Sequence, residues 1–269
     1  MVPNPAHQRV TLTVRQHAAI RTFRTQQKGF EKLNFMNKQT ERRLLWDACY
    51  NVRDLGGYST KHKNQTRWRA FVRADNLARL SPDGKEALIA YGVNTIIDLR
   101  SDYELDIDPS PFTLLNSQNH YPQYINLPLL DESDKAGMEL INQTKSLSEM
   151  YCLILDRYQG NITLIMKAFA KAANGTILFH CHSGRDRTGL IAAMLLSLVG
   201  VDYPTIAKDY AISNVYIQPT FEETLSEEPE TMLNFLGHLD TQHGGTRTYL
   251  LNSGMTEQDL TRIHRHLLG

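Results

Sequence analysis

Short apolar runs and longer segments with periodic apolar positions alternate along most of the chain, and the two patterns predict different elements. Apolar runs bounded by turn residues are typical of buried strands, whereas apolar positions repeated every three or four residues are typical of helices. The predicted strands are 69–73, 93–99, 124–127 and 176–179, and the predicted helices are 81–92, 148–158, 162–173, 190–199, 203–213, 230–243 and 256–268.

This alternation predicts an α/β fold with a central, mainly parallel sheet flanked by helices on both faces. Ligands of such folds bind at the carboxyl ends of the strands. Residues 1–45 are expected to be an N-terminal extension of unassigned function, with a strand at 9–14 and a basic, helix-compatible segment at 16–45. Residues 46–269 are expected to form the main domain, in which 131–145 is polar and mobile.

The segment between the strand at 176–179 and the helix at 190–199 contains the candidate functional residues. It reads His180-Cys181-His182-Ser183-Gly184-Arg185-Asp186-Arg187-Thr188-Gly189. A strand–loop–helix junction brings the loop amides and the free N–H groups of the first helical turn to one point, which therefore binds an anion such as phosphate. The predicted phosphate-binding residues are His182, Ser183, Gly184, Arg185, Asp186 and Arg187.

Four residues of this segment have separate predicted roles. The positive field of the loop favours the thiolate of Cys181, which makes it a nucleophile. Arg187 supplies a planar fork of donors for two phosphate oxygens. Gly184 allows a left-handed backbone conformation, and the Thr188 hydroxyl is placed to hydrogen-bond the sulfur as it leaves in a second step.

Two other interpretations of this loop are weaker. A buried cysteine at a tight turn would not need the preceding His180, the mid-loop glycine and the following Thr-Gly pair together. A metal site built from His180, Cys181 and His182 is disfavoured because consecutive strand residues point to opposite faces and no second Cys or His cluster follows at chelating spacing. We therefore expect no metal and no cofactor.

Composition sets the broad class of protein. The chain has 269 residues, of which 41% are hydrophobic, so a sizeable core can form and disorder is not indicated. Cys49, Cys152 and Cys181 are odd in number and far apart, which predicts a reducing compartment without disulfides. The N-terminus has no apolar signal-peptide core and no transmembrane segment is predicted. We expect a cytoplasmic protein, with export by a route without a classical signal left open.

The charge is balanced overall but unevenly distributed. Residues 1–80 hold 16 Lys and Arg against 5 Asp and Glu, while the remainder holds 13 against 24. Either the two parts neutralise each other by packing, or a basic face draws the protein to anionic substrates or to peripheral contact with an anionic lipid surface. No nucleic-acid partner is predicted.

With these residues assembled, the chain resembles the bacterial branch of the protein tyrosine phosphatase superfamily that carries an Asn-x-Arg-Asp-Leu-Gly-Gly motif. The matching segments are Asn51–Gly57, Ile97–Ser101, His180–Gly189, Tyr249-Leu250 and Leu267–Gly269. The resemblance implies a tyrosine-phosphatase-like fold in residues 46–269, no metal, and hydrolysis of phosphotyrosine, which many members extend to phosphoserine, phosphothreonine or phosphoinositides. One departure is Arg185, where the family commonly has lysine.

The resulting hypothesis is hydrolysis of a phosphorylated protein or phosphoinositide through a phosphocysteine on Cys181, with inorganic phosphate as the product. Asp186 is the first candidate for the general acid, and Asp98 and Asp131 are its rivals. An ion pair between Arg53 and Asp54 is expected to brace the Gly56-Gly57 turn.

Two further expectations concern single residues, and alternative functions stay open. His180 is expected to orient the loop, and Arg185 to influence specificity. The alternative functions are a sulfurtransferase or arsenate reductase on a related loop, and a non-catalytic phosphate-binding module.

Overall fold

The structure is a computed structural model that describes residues 41–113, 121–217 and 229–269. The strand predicted at 9–14 and nearly all of the basic segment at 16–45 lie outside these ranges. The strands are β1 Arg53–Asp54, β2 Phe71–Ala74, β3 Val93–Asp98, β4 Gln123–Asn126 and β5 Thr176–His180. The helices are α1 Pro82–Tyr91, α2 Asp102–Ile107, α3 Lys135–Gln143, α4 Leu147–Arg157, α5 Gln159–Lys171, α6 Asp186–Leu198, α7 Tyr203–Ile217, α8 Pro229–His243, α9 Thr246–Asn252 and α10 Glu257–Leu268.

The strands form one sheet in the order β1-β2-β5-β3-β4. The pairs β2–β5, β5–β3 and β3–β4 are parallel, and the short β1 is antiparallel to β2. The predicted α/β architecture with a mainly parallel central sheet is therefore confirmed. Strand β5 lies in the middle, so its carboxyl end at His180 is surrounded by neighbouring strand ends.

The two faces of the sheet bury different cores because successive strand residues point to opposite sides. On β5, Ile177 and Phe179 pack into the larger core with the C-terminal helices, whereas Leu178 packs into a smaller core on the other face. Ile97 and Ile96 of β3 divide in the same way. Both faces of the sheet are thus covered by packed side chains beneath the loop that follows β5.

Most predicted helices form near their predicted bounds. Helix α1 has the predicted Ser81 cap, whose hydroxyl accepts a hydrogen bond from Gly84 N, and it ends at Gly92 with a φ of +94°. Within the described ranges, no helix combines the length and the apolar character that a bilayer span requires.

The prediction for 131–145 as a polar, mobile stretch was wrong, because helix α3 forms there. Asp134 caps this helix by accepting a hydrogen bond from Gly137 N. The same carboxylate pairs with Arg157 of α4 through N–O distances of 2.5 and 2.6 Å. The helix is thus capped locally by Asp134 and joined to α4 by an exposed ion pair.

The expected ion pair between Arg53 and Asp54 was also wrong, because adjacent strand residues face opposite ways. Asp54 does brace the glycine turn by accepting a hydrogen bond from Gly56 N at 2.6 Å. Arg53 instead points to the other face, where its Nε donates to Asp209 at 2.8 Å and its Nη1 to Asn51 at 2.6 Å.

Asp209 on α7 is the centre of a buried charged network. Its side chain is 2% exposed and accepts hydrogen bonds from Arg53, from Arg73 Nη1 at 2.7 Å and from the Tyr58 hydroxyl at 2.7 Å. Burial alone would raise the pKa of Asp209, but the two guanidinium groups hold it well below its usual range. Burial and the neighbouring Arg53 lower the pKa of Arg73 to about 10, so Arg73 stays charged at neutral pH.

Replacing Asp209 with asparagine should strongly destabilise the protein, because two buried guanidinium groups lose their counter-charge. Breaking a buried pair of this kind costs about 3–5 kcal/mol, which urea unfolding at neutral pH would measure. The folded-state pKa of Asp209 is depressed, so its stabilisation is present above the unfolded value of about 3.9 and is lost as the pH falls through the folded-state pKa. The wild type and Asp209→Asn should therefore converge in acid.

The exposed Asp106 on α2 offers a matched control, and Asp106→Asn should change the free energy of unfolding by less than about 0.5 kcal/mol. Equal losses in the two variants would contradict the central place of Asp209.

Candidate active site

The loop from Cys181 to Arg185 joins the central strand β5 to helix α6. The helix begins at Asp186, four residues earlier than predicted, so Arg187 and Thr188 lie on its first turn. The helix N-terminus and the loop amides thus meet directly above the end of β5, which is the geometry of an anion-binding site.

The carbonyl oxygens of the loop are held from behind. The contacts are Asn76 N to His182 O at 2.9 Å, Asn51 Nδ2 to Ser183 O at 3.0 Å and Arg73 Nη2 to Gly184 O at 2.8 Å. The described residues contain no cis peptide, and in a trans peptide the N–H points opposite to the carbonyl. The N–H groups of Ser183 and Gly184 are therefore turned to the inner side of the loop.

Gly184 has a φ of +67°, the left-handed conformation that glycine adopts at least cost. A Cβ at this position would lie 2.5 Å from the carbonyl oxygen of Ala74. The loop can pass this close to the end of β2 only because the residue has no side chain.

Cys181 is 1% exposed and lies at the base of the loop. The neighbouring His180 is fully buried; its Nδ1 is 3.1 Å from Cys181 O and its Nε2 is 3.3 Å from Asp98 Oδ2. His180 therefore lies behind the loop and contacts its backbone, as expected for a residue that orients it. Because His180 is buried behind the loop while His182 is exposed, the three residues His180 to His182 form no metal-ligand group.

Arg187 is held by Glu104, a residue that the sequence analysis did not propose. Nη1 and Nη2 of Arg187 donate to the two Glu104 oxygens at 2.5 and 2.7 Å. This leaves the side of the guanidinium formed by Nε and one Nη for two phosphate oxygens. Burial alone would raise the pKa of Glu104, but Arg187 keeps it below its usual value, and the Cys181 side chain lies within electrostatic reach of Arg187.

Glu104 does carry a sequence signal that could have drawn attention to it. Ser101 and Glu104 form a capping box at the start of α2, with Glu104 Oε2 accepting a hydrogen bond from Ser101 N at 3.0 Å. This serine-x-x-glutamate spacing predicts a helix start. Helix α2 was not predicted, because it is too short to show an apolar periodicity.

Asp186 is surrounded by polar partners. Its Oδ1 accepts a short hydrogen bond from the Tyr151 hydroxyl, which is itself 2.7 Å from the Tyr210 hydroxyl. Arg185 donates to both Asp186 oxygens, from Nε at 3.1 Å and from Nη2 at 3.3 Å. Asp186 therefore lies at the mouth of the loop, between a tyrosine pair and a cation.

The other two acid candidates lie elsewhere. Asp98 is fully buried, 2.7 Å from Arg100 Nη2. Burial alone would raise the pKa of Asp98, but His180 and Arg100 hold it well below its usual range. Asp131 is exposed, and hydrogen bonds from Ser133 lower its pKa. It lines a separate cavity of about 390 Å³ that contains no loop residue. This geometry supports positioning rather than proton donation for Asp98.

The Thr188 hydroxyl is fully buried and has no hydrogen-bond partner in the described part of the chain. A buried hydroxyl without a partner is costly.

The remaining cysteines are outside the loop. Burial, together with Asp75 and Asp47, raises the pKa of Cys49 well above its ordinary value, so its thiol stays protonated and unreactive. Cys152 lies on α4.

A mainly parallel sheet and a strand–loop–helix junction with a cysteine at its start and an arginine on the first helical turn are the features expected of a cysteine-dependent phosphatase. Comparison with known proteins agrees, because residues 44–269 match the model of the tyrosine phosphatase family. The chain belongs to this family and is a phosphoric monoester hydrolase, which acts on a phosphorylated substrate and releases phosphate. Nothing in the comparisons supports a sulfurtransferase, a reductase or a non-catalytic module.

Two curated relatives show how far the similarity extends. The tyrosine-protein phosphatase of Nostoc commune is 33% identical in an alignment of 217 positions, gaps included, that spans 72% of this chain and 72% of the relative. The triple specificity protein phosphatase PtpB of Mycobacterium tuberculosis is 26% identical in an alignment of 273 positions, gaps included, that spans 82% of this chain and 98% of the relative.

Alanine at position 184 should disrupt the loop, because the added Cβ meets the Ala74 backbone and the residue must keep a positive φ. Misplacing catalytic groups by about 1 Å can cost about 10²-fold in rate, so we expect Gly184→Ala to lower kcat/KM for p-nitrophenyl phosphate by that order. Gly237→Ala is the control, since a Cβ at this helical position meets nothing within 4 Å. A Gly184→Ala enzyme as active as this control would contradict the close packing of the loop.

Proposed function

We propose that Cys181 is the nucleophile, Arg187 the phosphate clamp and Asp186 the general acid of a two-step hydrolysis. The Cys181 thiolate forms a bond to phosphorus while the bond to the leaving oxygen breaks, and Asp186 gives its proton to that oxygen. Water then attacks the phosphocysteine and gives one proton to the Asp186 carboxylate, while the P–S bond breaks and releases inorganic phosphate and the Cys181 thiolate. The observation that carries this proposal is the set of carbonyl contacts behind the loop, which turn its amides toward the same space as Cys181 and Arg187.

The loop stabilises the transferring group without having to reorganise. The inward N–H groups of the loop, the N-terminus of helix α6 and the Nε side of Arg187 are proposed to stabilise the equatorial phosphate oxygens, which carry the charge in the transition state. Of the proposed phosphate-binding residues, Ser183, Gly184 and Asp186 act through backbone N–H groups, and Arg187 acts through its side chain. The partnerless Thr188 hydroxyl is available to the sulfur when the phosphocysteine is cleaved.

Asp186 is suited to proton donation by its position at the mouth of the loop. A bound phosphate competes for Arg185, which now pairs with the Asp186 carboxylate. Negative phosphate oxygens beside a carboxylate favour its protonated form, because like charges repel. Tyr151 holds the Asp186 side chain in place through this exchange.

The substrate is proposed to be phosphotyrosine in proteins, with additional action on phosphoserine, phosphothreonine or phosphoinositides. The triple specificity in the name of the Mycobacterium relative supports the broader range. Arg185 adds a second cation at the loop, which suits substrates with more than one phosphate.

A cytoplasmic location, with peripheral contact to anionic surfaces, remains our proposal for where the enzyme works. The three cysteines are free in the structure, which fits a reducing compartment.

Serine in place of Cys181 tests the nucleophile. Turnover of p-nitrophenyl phosphate should be abolished, because a hydroxyl is a far weaker nucleophile than a thiolate, while binding of vanadate or phosphate measured by calorimetry should persist. Cys152→Ser should retain wild-type turnover. Residual turnover in Cys181→Ser close to that of Cys152→Ser would refute the mechanism.

Asparagine in place of Asp186 tests the general acid. The rate with alkyl phosphates should fall by about 10²–10⁴-fold, because these leaving groups must be protonated, and the loss with p-nitrophenyl phosphate should be much smaller. The acidic limb of the pH–rate profile identifies the group that titrates. Asp131→Asn is the control and should behave as wild type; equal losses on both substrates in Asp186→Asn would show that Asp186 only positions the loop.

A further inference from the structure

Three metal-binding side chains converge outside the phosphate loop. Asp156 lies near the end of α4, and His238 and His243 lie in the last turns of α8. One imidazole nitrogen of each histidine and one Asp156 oxygen all lie within 4.8 Å of one another. The aspartate and the first histidine are 82 residues apart in sequence, so no spacing motif could reveal this group.

Both histidines contact the same carboxylate oxygen through their Nε2 atoms. Asp156 Oδ1 is 3.0 Å from His238 Nε2 and 2.7 Å from His243 Nε2. Ligand atoms of a tetrahedral zinc ion, with Zn–N distances of about 2.0–2.1 Å, lie roughly 3.3 Å apart. Lengthening these two nitrogen–oxygen distances by a few tenths of an ångström would bring them to the spacing of zinc ligands.

The surroundings keep the cluster ordered and accessible. Between 23% and 46% of each side chain is exposed, so an ion can enter from solvent. The Tyr249 ring packs edge-on against His243 at a centroid distance of 5.0 Å, and its hydroxyl donates to Leu155 O at 2.7 Å. The side chain of His243 is thus fixed against α4, the helix that carries Asp156.

We propose that Asp156, His238 and His243 form a zinc-binding site that joins α4 to α8. Two imidazoles and one carboxylate are a ligand set that suits Zn²⁺, and a water molecule completes the fourth position. The site is separate from the proposed chemistry at Cys181. Its role is to clip together two helices, one of which carries Tyr151, the partner of Asp186.

Zinc binding should be measured on the full chain in a Cys181→Ser background, because the catalytic thiolate would itself bind zinc. After chelator treatment and removal of the chelator, calorimetry with zinc chloride should show one equivalent bound, and the Tm should rise and saturate at that stoichiometry. His238→Ala and His243→Ala should each weaken binding at least tenfold and remove the rise in Tm. Cobalt should give the visible spectrum of a four- or five-coordinate site, which both variants lose.

The exposed His264 on α10 supplies the matched control, so His264→Ala should bind zinc as the parent does. Circular dichroism confirms that each variant is folded, and Asp156→Asn provides a variant that conserves size. The proposal is overturned if the Cys181→Ser protein binds no zinc, or if the affinity is the same in the His238, His243 and His264 variants. In those cases the cluster is only a hydrogen-bonded contact between two helices.

Discussion

The contact between the buried Asp209 carboxylate and two arginines determines the shape of the phosphate-binding loop. Arg73 connects this contact to the loop, because its Nη1 pairs with the Asp209 carboxylate while its Nη2 donates a hydrogen bond to the Gly184 carbonyl. Arg53 completes the network and orients Asn51, whose amide holds the next carbonyl of the loop. Removing these charges from water is costly, and the cost is offset only where every partner is present. The loop is therefore supported by β1, β2 and α7 together.

Arg187 and Asp186 are each held by a partner from a different element. Arg187 is aligned by Glu104 of α2, and Asp186 by Tyr151 of α4, which also contacts Tyr210 of α7. Donors and charges that are already in place need not reorganise when phosphate arrives, and this is the main source of electrostatic catalysis. Helix α4 is part of this support and also carries Asp156. The same helix therefore contributes a ligand to the proposed metal site and a hydrogen bond to the proposed acid.

The sequence predictions were correct where local interactions determine the structure and less accurate where contacts between distant residues do. Strands β3 and β5 and helix α1 were predicted because apolar runs, caps and a terminal glycine act locally. Helix α3 was missed although its Asp134 cap is a local signal, because the polar composition of residues 131–145 obscured it. The partner of Arg53 was mistaken for its neighbour Asp54, although strand alternation turns the two side chains apart.

The chain by itself determined the α/β fold and the ten-residue loop, since hydrophobic periodicity and the Cys-x5-Arg spacing are local properties. Only the tertiary structure decided which residues support that loop. Tyr151, Asp209 and the cluster around Asp156 come from distant segments, and nothing in their own neighbourhoods marks them. The capping box around Glu104 marks the start of a helix but not the contact of Glu104 with Arg187. The physical reason is that burial removes water as a partner, so a charged side chain must find its counterpart wherever the fold brings one within hydrogen-bond distance.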